Sequence, residues 1–138
     1  MVKINYKIME PIAKKWYDHL AEGKIMATKC KDCGAYTFPP LTVCRECRSR
    51  NLEWVEISGE AQLIMFSSTI LPAKKFASLA PISYGLVKLK EGPCFFTKIE
   101  GVKCSNAEEI RKENESLPAP VRAEIKNVLG MNIVVFRK

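Results

Sequence analysis

No apolar stretch in this sequence approaches the roughly 20 residues that a membrane-spanning helix requires; the strongest, residues 133–136, is a fraction of that. The N-terminus places Lys3, Lys7 and Glu10 where a secretory leader would carry an apolar core, and it has no small-residue cleavage site. No signal peptide is expected, and the expected location is the cytoplasm. Acidic residues are the minority, 15 against 22 lysines and arginines, so the formal net charge is +7. That balance favours anionic partners, whether nucleic acid, phosphorylated cofactors or acidic protein surfaces, without choosing among them. There is no internal repeat and no low-complexity tract. With 138 residues, 47% hydrophobic and 27% charged, the chain has room for one ordinary domain, or for a small metal-stapled module beside a modest barrel.

Six cysteines are present. In a reducing compartment paired cysteines point to metal rather than to disulfides. Cys30-Lys31-Asp32-Cys33 and Cys44-Arg45-Glu46-Cys47 form two Cys-x-x-Cys knuckles with ten residues between them. Each knuckle sets two sulfurs on one edge of a tetrahedron, and two knuckles complete it. Gly34 after the first pair tolerates positive φ and lets backbone amides turn toward the sulfurs; Arg48 stands at the corresponding place after the second. An iron centre of rubredoxin type, a redox dithiol and a disulfide are the competing readings. Zinc fits best in a ribbon without an electron-transfer companion, and four cysteines close its shell, which implies a structural ion rather than a catalytic one. Such a centre carries −2, so +7 − 2 leaves about +5 on the loaded protein. Lys29, Lys31, Arg45, Arg48 and Arg50 crowd the pairs and offset the cluster. Cys94 and Cys104 stand alone and read as small buried hydrophobes.

Ile8, Ile12, Trp16 and Leu20 recur every four residues, with Tyr17 beside them, and predict a helix over residues 11–22 that starts at Pro11 and stops at Gly23. Its apolar stripe lies either on its own domain or on a partner. Residues 28–52 alternate cysteine pairs with turn residues and predict a hairpin ribbon. β patterning follows at 54–57, 61–71, 82–89, 94–99 and 133–136, with turn signals at Ser58-Gly59 and Glu91-Gly92-Pro93. Residues 102–130 are polar and helix-favouring: a helix is expected at 107–115 and a second at 121–129, as an insertion before the last strand. Five strands with one long crossing predict a small closed barrel of the OB type. The expected organisation is mainly β with helices: an N-terminal helical segment over 1–27, a rubredoxin-like zinc ribbon over 28–53 and a five-stranded OB-fold domain with a helical insertion over 54–138.

Trp16, Gly23, Cys30-Lys-Asp-Cys33-Gly34, Phe38-Pro39-Pro40, Cys44-Arg-Glu-Cys47, Leu52-Glu53-Trp54-Val55, Ser58-Gly59, Pro81 and the run from Leu86 to Pro93 occur in an order that resembles the zinc-ribbon and OB-fold proteins associated with thiolases and acyl-CoA metabolism. The resemblance covers nearly the whole chain, to Gly130-Met131 and the last strand, and departs from it in the 102–130 insertion. It implies a small non-catalytic subunit of a thiolase-type complex that helps assemble the complex and form the CoA channel. The implied partner is a thiolase-like catalytic subunit; among such partners a benzoylsuccinyl-CoA thiolase is one it suggests. The implied ligands are one structural Zn2+ per chain, held by Cys30, Cys33, Cys44 and Cys47, and CoA or acyl-CoA shared with the complex.

Thiolase chemistry needs a nucleophilic cysteine, a histidine to take its proton and oxyanion donors. His19 is the only histidine, sits in the leading helix and reads as a surface or helix-packing residue. The chain is therefore expected to be no enzyme by itself. Lys74, Lys75 and Phe76 combine positive charge with an apolar ring, as the phosphate and pantetheine ends of CoA would require, and are the candidate CoA contact; the plainer alternative is a solvated loop. Tyr36, Phe38, Pro39 and Pro40 form either a partner surface or the seam between ribbon and barrel. A second function class is a single-stranded nucleic-acid module, because zinc ribbons and OB barrels both bind strands through stacking aromatics in a basic groove. Phe66, Tyr84, Phe95 and Phe96 supply aromatics, but Phe95 and Phe96 are adjacent and face opposite sides of a strand, and the lysines are scattered. Nucleic acid is the less favoured partner.

Overall fold

The computed structural model describes residues 11–138. Ile8, part of the predicted helical stripe, lies outside them. The leading helix α1 runs Pro11–Ala21, and Gly23 takes φ 81° to turn the chain back. Its stripe lies on the molecule's own core. Leu20 is fully buried, and the Trp16 indole Nε1 donates to the carbonyl of Met26 at 3.2 Å. His19 packs its ring 5.5 Å from that of Trp54.

A three-stranded sheet follows, β1 (Met26–Cys30), β2 (Tyr36–Thr37) and β3 (Leu52–Glu56), in the order β2-β1-β3. Here the structure corrects the sequence reading. Residues 54–57 were expected to open the barrel, but Trp54 and Val55 pair with Thr28 and Ala27 and so belong to the ribbon sheet. Alternation identifies a strand without identifying its neighbour.

The barrel consists of β4 (Glu60–Thr69), β5 (Ile82–Leu89), β6 (Cys94–Glu100), β7 (Ala119–Val128) and β8 (Met131–Arg137). Its closed order, β4-β5-β6-β8-β7, has one parallel contact, β6 with β8. Five strands meeting in this order form an OB-type barrel. β7 is the second correction: residues 121–129 were expected to be helical. The segment carries Glu124, Lys126 and Asn127, which mimic a helical surface, yet it pairs along its length with β8 and at its start with β4. Tertiary pairing overrides a weak local preference. The chain from 102 to 130 is therefore one helix, α2 (Ala107–Glu115), plus the fourth barrel strand.

Asn106 caps α2 by accepting the Glu109 amide at 2.9 Å. Asn114 on the same helix meets Phe66 twice, accepting from its N–H and donating to its carbonyl, each at 3.3 Å. A side-chain amide thereby satisfies β4 just past its bulge at Leu63/Met65 and fixes the helix across one barrel end. Leu63, Phe66, Val87, Ile99, Val121, Val134 and Phe136 fill the interior.

The three parts share one core. Phe38 of the ribbon, 1% exposed, packs edge-on against Trp16 of α1 at 6.3 Å and Phe95 of β6 at 4.8 Å, and Phe95 continues to Phe136 at 6.5 Å. Of the two roles open to Phe38 from the sequence, the seam is the one observed. Among the described residues no helix is long and apolar enough to cross a membrane.

Candidate metal centre and the adjoining groove

Cys30 ends β1, and the chain then turns through Asp32 to Cys33; Cys44 and Cys47 bracket an equivalent turn. The two knuckles repeat the same backbone hydrogen bonds. The Gly34 N–H donates to the Cys30 carbonyl at 2.9 Å and the Arg48 N–H to the Cys44 carbonyl at 3.0 Å. Gly34 has φ 77° and Arg48 has φ 62°. Cys30 and Cys44 are buried, whereas Cys33 and Cys47 are exposed.

All four sulfurs lie within 4.8 Å of one another, and the Cys30–Cys47 and Cys33–Cys44 pairs approach to 3.5 Å. A tetrahedral zinc with Zn–S bonds of about 2.3 Å sets its sulfurs about 3.8 Å apart. The observed separations, from 3.5 Å to no more than 4.8 Å, bracket that value, so the cluster is of a size to hold such an ion. Its electrostatics ask for a cation as well. The Cys33 amide, with help from that of Asp32 and from neighbouring thiols, outweighs burial and brings the Cys30 thiol down to about 7. The Cys44 thiol is lowered mainly by the Cys47 amide. The Ser49 amide draws Cys47 the same way, but the sulfurs of Cys30, Cys33 and Cys44, together with desolvation, push that thiol up to about 12. Cys33 is likewise raised, the Ala35 amide being outweighed by the Cys44 sulfur and burial. The four thiols act on one another, two held down and two pushed up, as expected where several negative charges would share one small volume without a dication.

The isolated cysteines differ from each other. Cys104 is buried, its sulfur 3.7 Å from the Ser83 hydroxyl. Cys94, expected to be buried, is exposed: it starts β6 opposite Lys88 on the outer face, where strand alternation outweighs its hydrophobicity. His19 lies against Trp54 and within 3.8 Å of Glu22.

Lys74, Lys75 and Phe76 lie on a short 3-10 helix, Lys74–Leu79, between β4 and β5. Both lysines are exposed, and the Lys75 ammonium sits 4.9 Å from the centre of the Phe76 ring. Phe76 turns into an apolar groove of about 560 Å³ whose walls come from α1 (Trp16, Tyr17), the ribbon (Pro39), β5 and β6 (Tyr84, Phe95, Phe96) and the β7–β8 turn (Leu129, Met131). Tyr84 and Phe96 stack almost parallel, 6.1 Å apart at 13°, and Phe96 is 65% exposed. Of the adjacent pair, Phe95 thus points inward and Phe96 outward. Alternation in β5 signalled that Tyr84 would face outward, but nothing in the sequence signalled a groove assembled from α1, the ribbon and three separate barrel segments.

Residues 18–53 match the ChsH2 rubredoxin-like zinc ribbon domain. A DUF35 domain-containing scaffold protein of Methanothermobacter thermautotrophicus is 29% identical over 119 residues, covering 85% of this chain and 88% of that one. A benzoylsuccinyl-CoA thiolase subunit, BbsA, of Thauera aromatica is 29% identical over 86 residues, 59% of this chain and 58% of its own length. Among solved structures, an Ltp2-ChsH2(DUF35) aldolase superposes with a TM-score of 0.73 at 21% identity, over 94% of this chain and 96% of that one; at that identity the likeness speaks for the fold alone. The zinc-ribbon match, the barrel behind it and the scaffold and subunit relatives together make the chain similar to thiolase-associated DUF35 proteins that carry a zinc ribbon.

Proposed function

We propose that this chain is a non-catalytic, zinc-binding accessory subunit of a thiolase-type complex, which helps assemble the complex and contributes to its acyl-CoA channel. Cys30, Cys33, Cys44 and Cys47 hold one structural Zn2+, and Lys74, Lys75 and Phe76 stand at the CoA contact. The observation that carries the reading is the groove where helix, ribbon and barrel meet: it is lined largely by aromatic and aliphatic side chains, with Lys74 and Lys75 exposed beside Phe76. An apolar trough with cations at its rim suits a pantetheine arm ending in phosphates. The only histidine packs on Trp54, which leaves the proton-transfer work of a thiolase to a partner.

The test is co-expression with a thiolase-like catalytic subunit from the same genome. The two should co-purify, and Lys74→Ala/Lys75→Ala should weaken acyl-CoA binding by the complex while leaving assembly intact. A chain that stays alone, or that turns over a thioester in isolation, refutes the proposal. Cys33→Ser should lose stoichiometric zinc by elemental analysis and lower the melting temperature; retention of both overturns the ligand assignment.

The stacked Tyr84–Phe96 pair is the one feature that favours the nucleic-acid alternative. Its surroundings speak against it, because the groove is apolar and its Lys98 is paired with Glu100 at 2.7 Å. Oligonucleotide binding with a steep salt dependence would reverse that preference.

A further inference from the structure

The two knuckles are joined at a point that the sulfurs do not explain. Asp32 sits between Cys30 and Cys33, whereas Ser49 and Asn51 follow Cys47. One carboxylate oxygen of Asp32 accepts from the Ser49 hydroxyl, and the other accepts from the Asn51 side-chain amide at 3.2 Å. The Ser49 hydroxyl oxygen in turn accepts the Asn51 backbone N–H at 3.0 Å. Two backbone bonds hold the parts of this bridge in place: the Lys31 N–H donates to the Asn51 carbonyl at 2.9 Å, and the Cys44 N–H donates to the Ser49 carbonyl at 2.8 Å. Among the described residues, sulfur contacts apart, no other side-chain hydrogen bond crosses between residues 30–33 and 44–51. Glu46 takes the same third position in the second knuckle. It is exposed and has no such partner among the described residues.

We propose that the Asp32 carboxylate is a latch that positions the two cysteine knuckles on their common metal ion and sets how slowly that ion leaves, acting through Ser49 and Asn51. The inference rests on the reading of the four cysteines as a metal site. A tetrathiolate loses its ion one sulfur at a time, and the exposed Cys33 and Cys47 lie on different knuckles. While the latch is closed, a sulfur that lets go remains beside the ion and rebinds before the next one leaves. When the latch opens, the knuckles separate and release proceeds. Hydrogen bonds to an ionised carboxylate are the strong kind, and partners outside the ligand shell commonly change metal affinity by about 10–100-fold.

The experiment uses the full-length, zinc-loaded protein, with elemental analysis first establishing one zinc per chain. Release is then followed with the chelating dye 4-(2-pyridylazo)resorcinol. Asp32→Ala should release zinc at least ~10-fold faster, Ser49→Ala should be intermediate, and Asp32→Ala/Ser49→Ala should be no faster than Asp32→Ala, since both changes remove one bridge. Glu46→Ala, which removes the same charge from the equivalent position, should match the wild type. In the Co2+-loaded protein the ligand-field and thiolate charge-transfer bands should shift in Asp32→Ala and not in Glu46→Ala. Asp32→Asn, which keeps the shape and one acceptor for Asn51, serves as the measured variant should Asp32→Ala not accumulate. Release from Asp32→Ala at the wild-type rate overturns the latch. Equal acceleration by Glu46→Ala also overturns it, because charge near the sulfurs would then be the cause. Wild-type protein devoid of zinc refutes the metal reading itself, an outcome distinct from either.

Discussion

Arg48 holds a backbone conformation that its counterpart in the first knuckle gives to glycine: φ is 62° at Arg48 and 77° at Gly34. A side chain with a Cβ is disfavoured there by about 1 kcal/mol or more, and the N–H of Arg48 still closes its turn onto Cys44. Arg48→Gly should therefore raise stability by about 1 kcal/mol in a denaturant titration of the metal-loaded protein; a decrease would mean that the arginine side chain contributes more than its backbone costs. Gly85 presents the opposite case. A Cβ at Gly85 would lie 2.7 Å from the Met65 carbonyl oxygen and 2.8 Å from both Leu63 and Ile99. The first neighbour is backbone and cannot turn aside, so Gly85→Ala should destabilise the fold by about 2–3 kcal/mol. A loss under half a kcal/mol would show that β4 yields at its bulge.

At the scale of elements, two barrel strands, β6 and β7, are bound electrostatically by one carboxylate. Glu100 at the end of β6 accepts from Lys98 and from Lys126 of β7, each at 2.7 Å, beside its register partner Arg137 of β8. Burial raises the Glu100 carboxyl, but the bonds from Lys126 and Lys98 outweigh burial and hold it below the ordinary value of 4.5. A carboxyl lowered on folding contributes stability above its unfolded value, and that contribution disappears as pH falls through the folded value. Glu100→Gln should consequently be less stable at neutral pH by about 1 kcal/mol and should show a shallower loss of stability below pH 4.5 than the wild type. Chemical denaturation at a series of pH values measures both; parallel curves would mean that the bridge is spectator charge.

At the scale of the whole molecule, Phe38 decides whether helix, ribbon and barrel act as one body. It is fully buried between Trp16 and Phe95, and truncating such a side chain costs about 3–5 kcal/mol. Phe38→Ala should lower stability by that amount and also deform the adjoining groove, since Trp16 and Phe95 line it as well. Unfolding followed by metal release, which reports the ribbon, and by far-UV circular dichroism, which the barrel strands dominate, should split into two transitions in the variant and coincide in the wild type. Coincident transitions in both proteins would show that the seam does not couple the parts.

The sequence determined the features whose physics is local. Two Cys-x-x-Cys knuckles fix their own turns, so the cluster at residues 30, 33, 44 and 47 was legible, as were the helix at Pro11–Ala21 with its glycine stop and the alternating strand at Ile82–Leu89. Tertiary structure decided what depends on neighbours far along the chain. Trp54 and Val55 read as β, but only pairing with β1 put them in the ribbon; residues 121–129 read as helix, whereas β4 and β8 claim the backbone groups of Ala119–Val128. Cys94 became exposed by strand parity. The latch from Asp32 to Ser49 and Asn51, and the groove that Trp16, Phe76 and Phe96 share, exist only because folding brings together residues that pattern and spacing keep apart. Local propensity is a property of neighbouring residues, whereas pairing partners and cavities are properties of the closed chain.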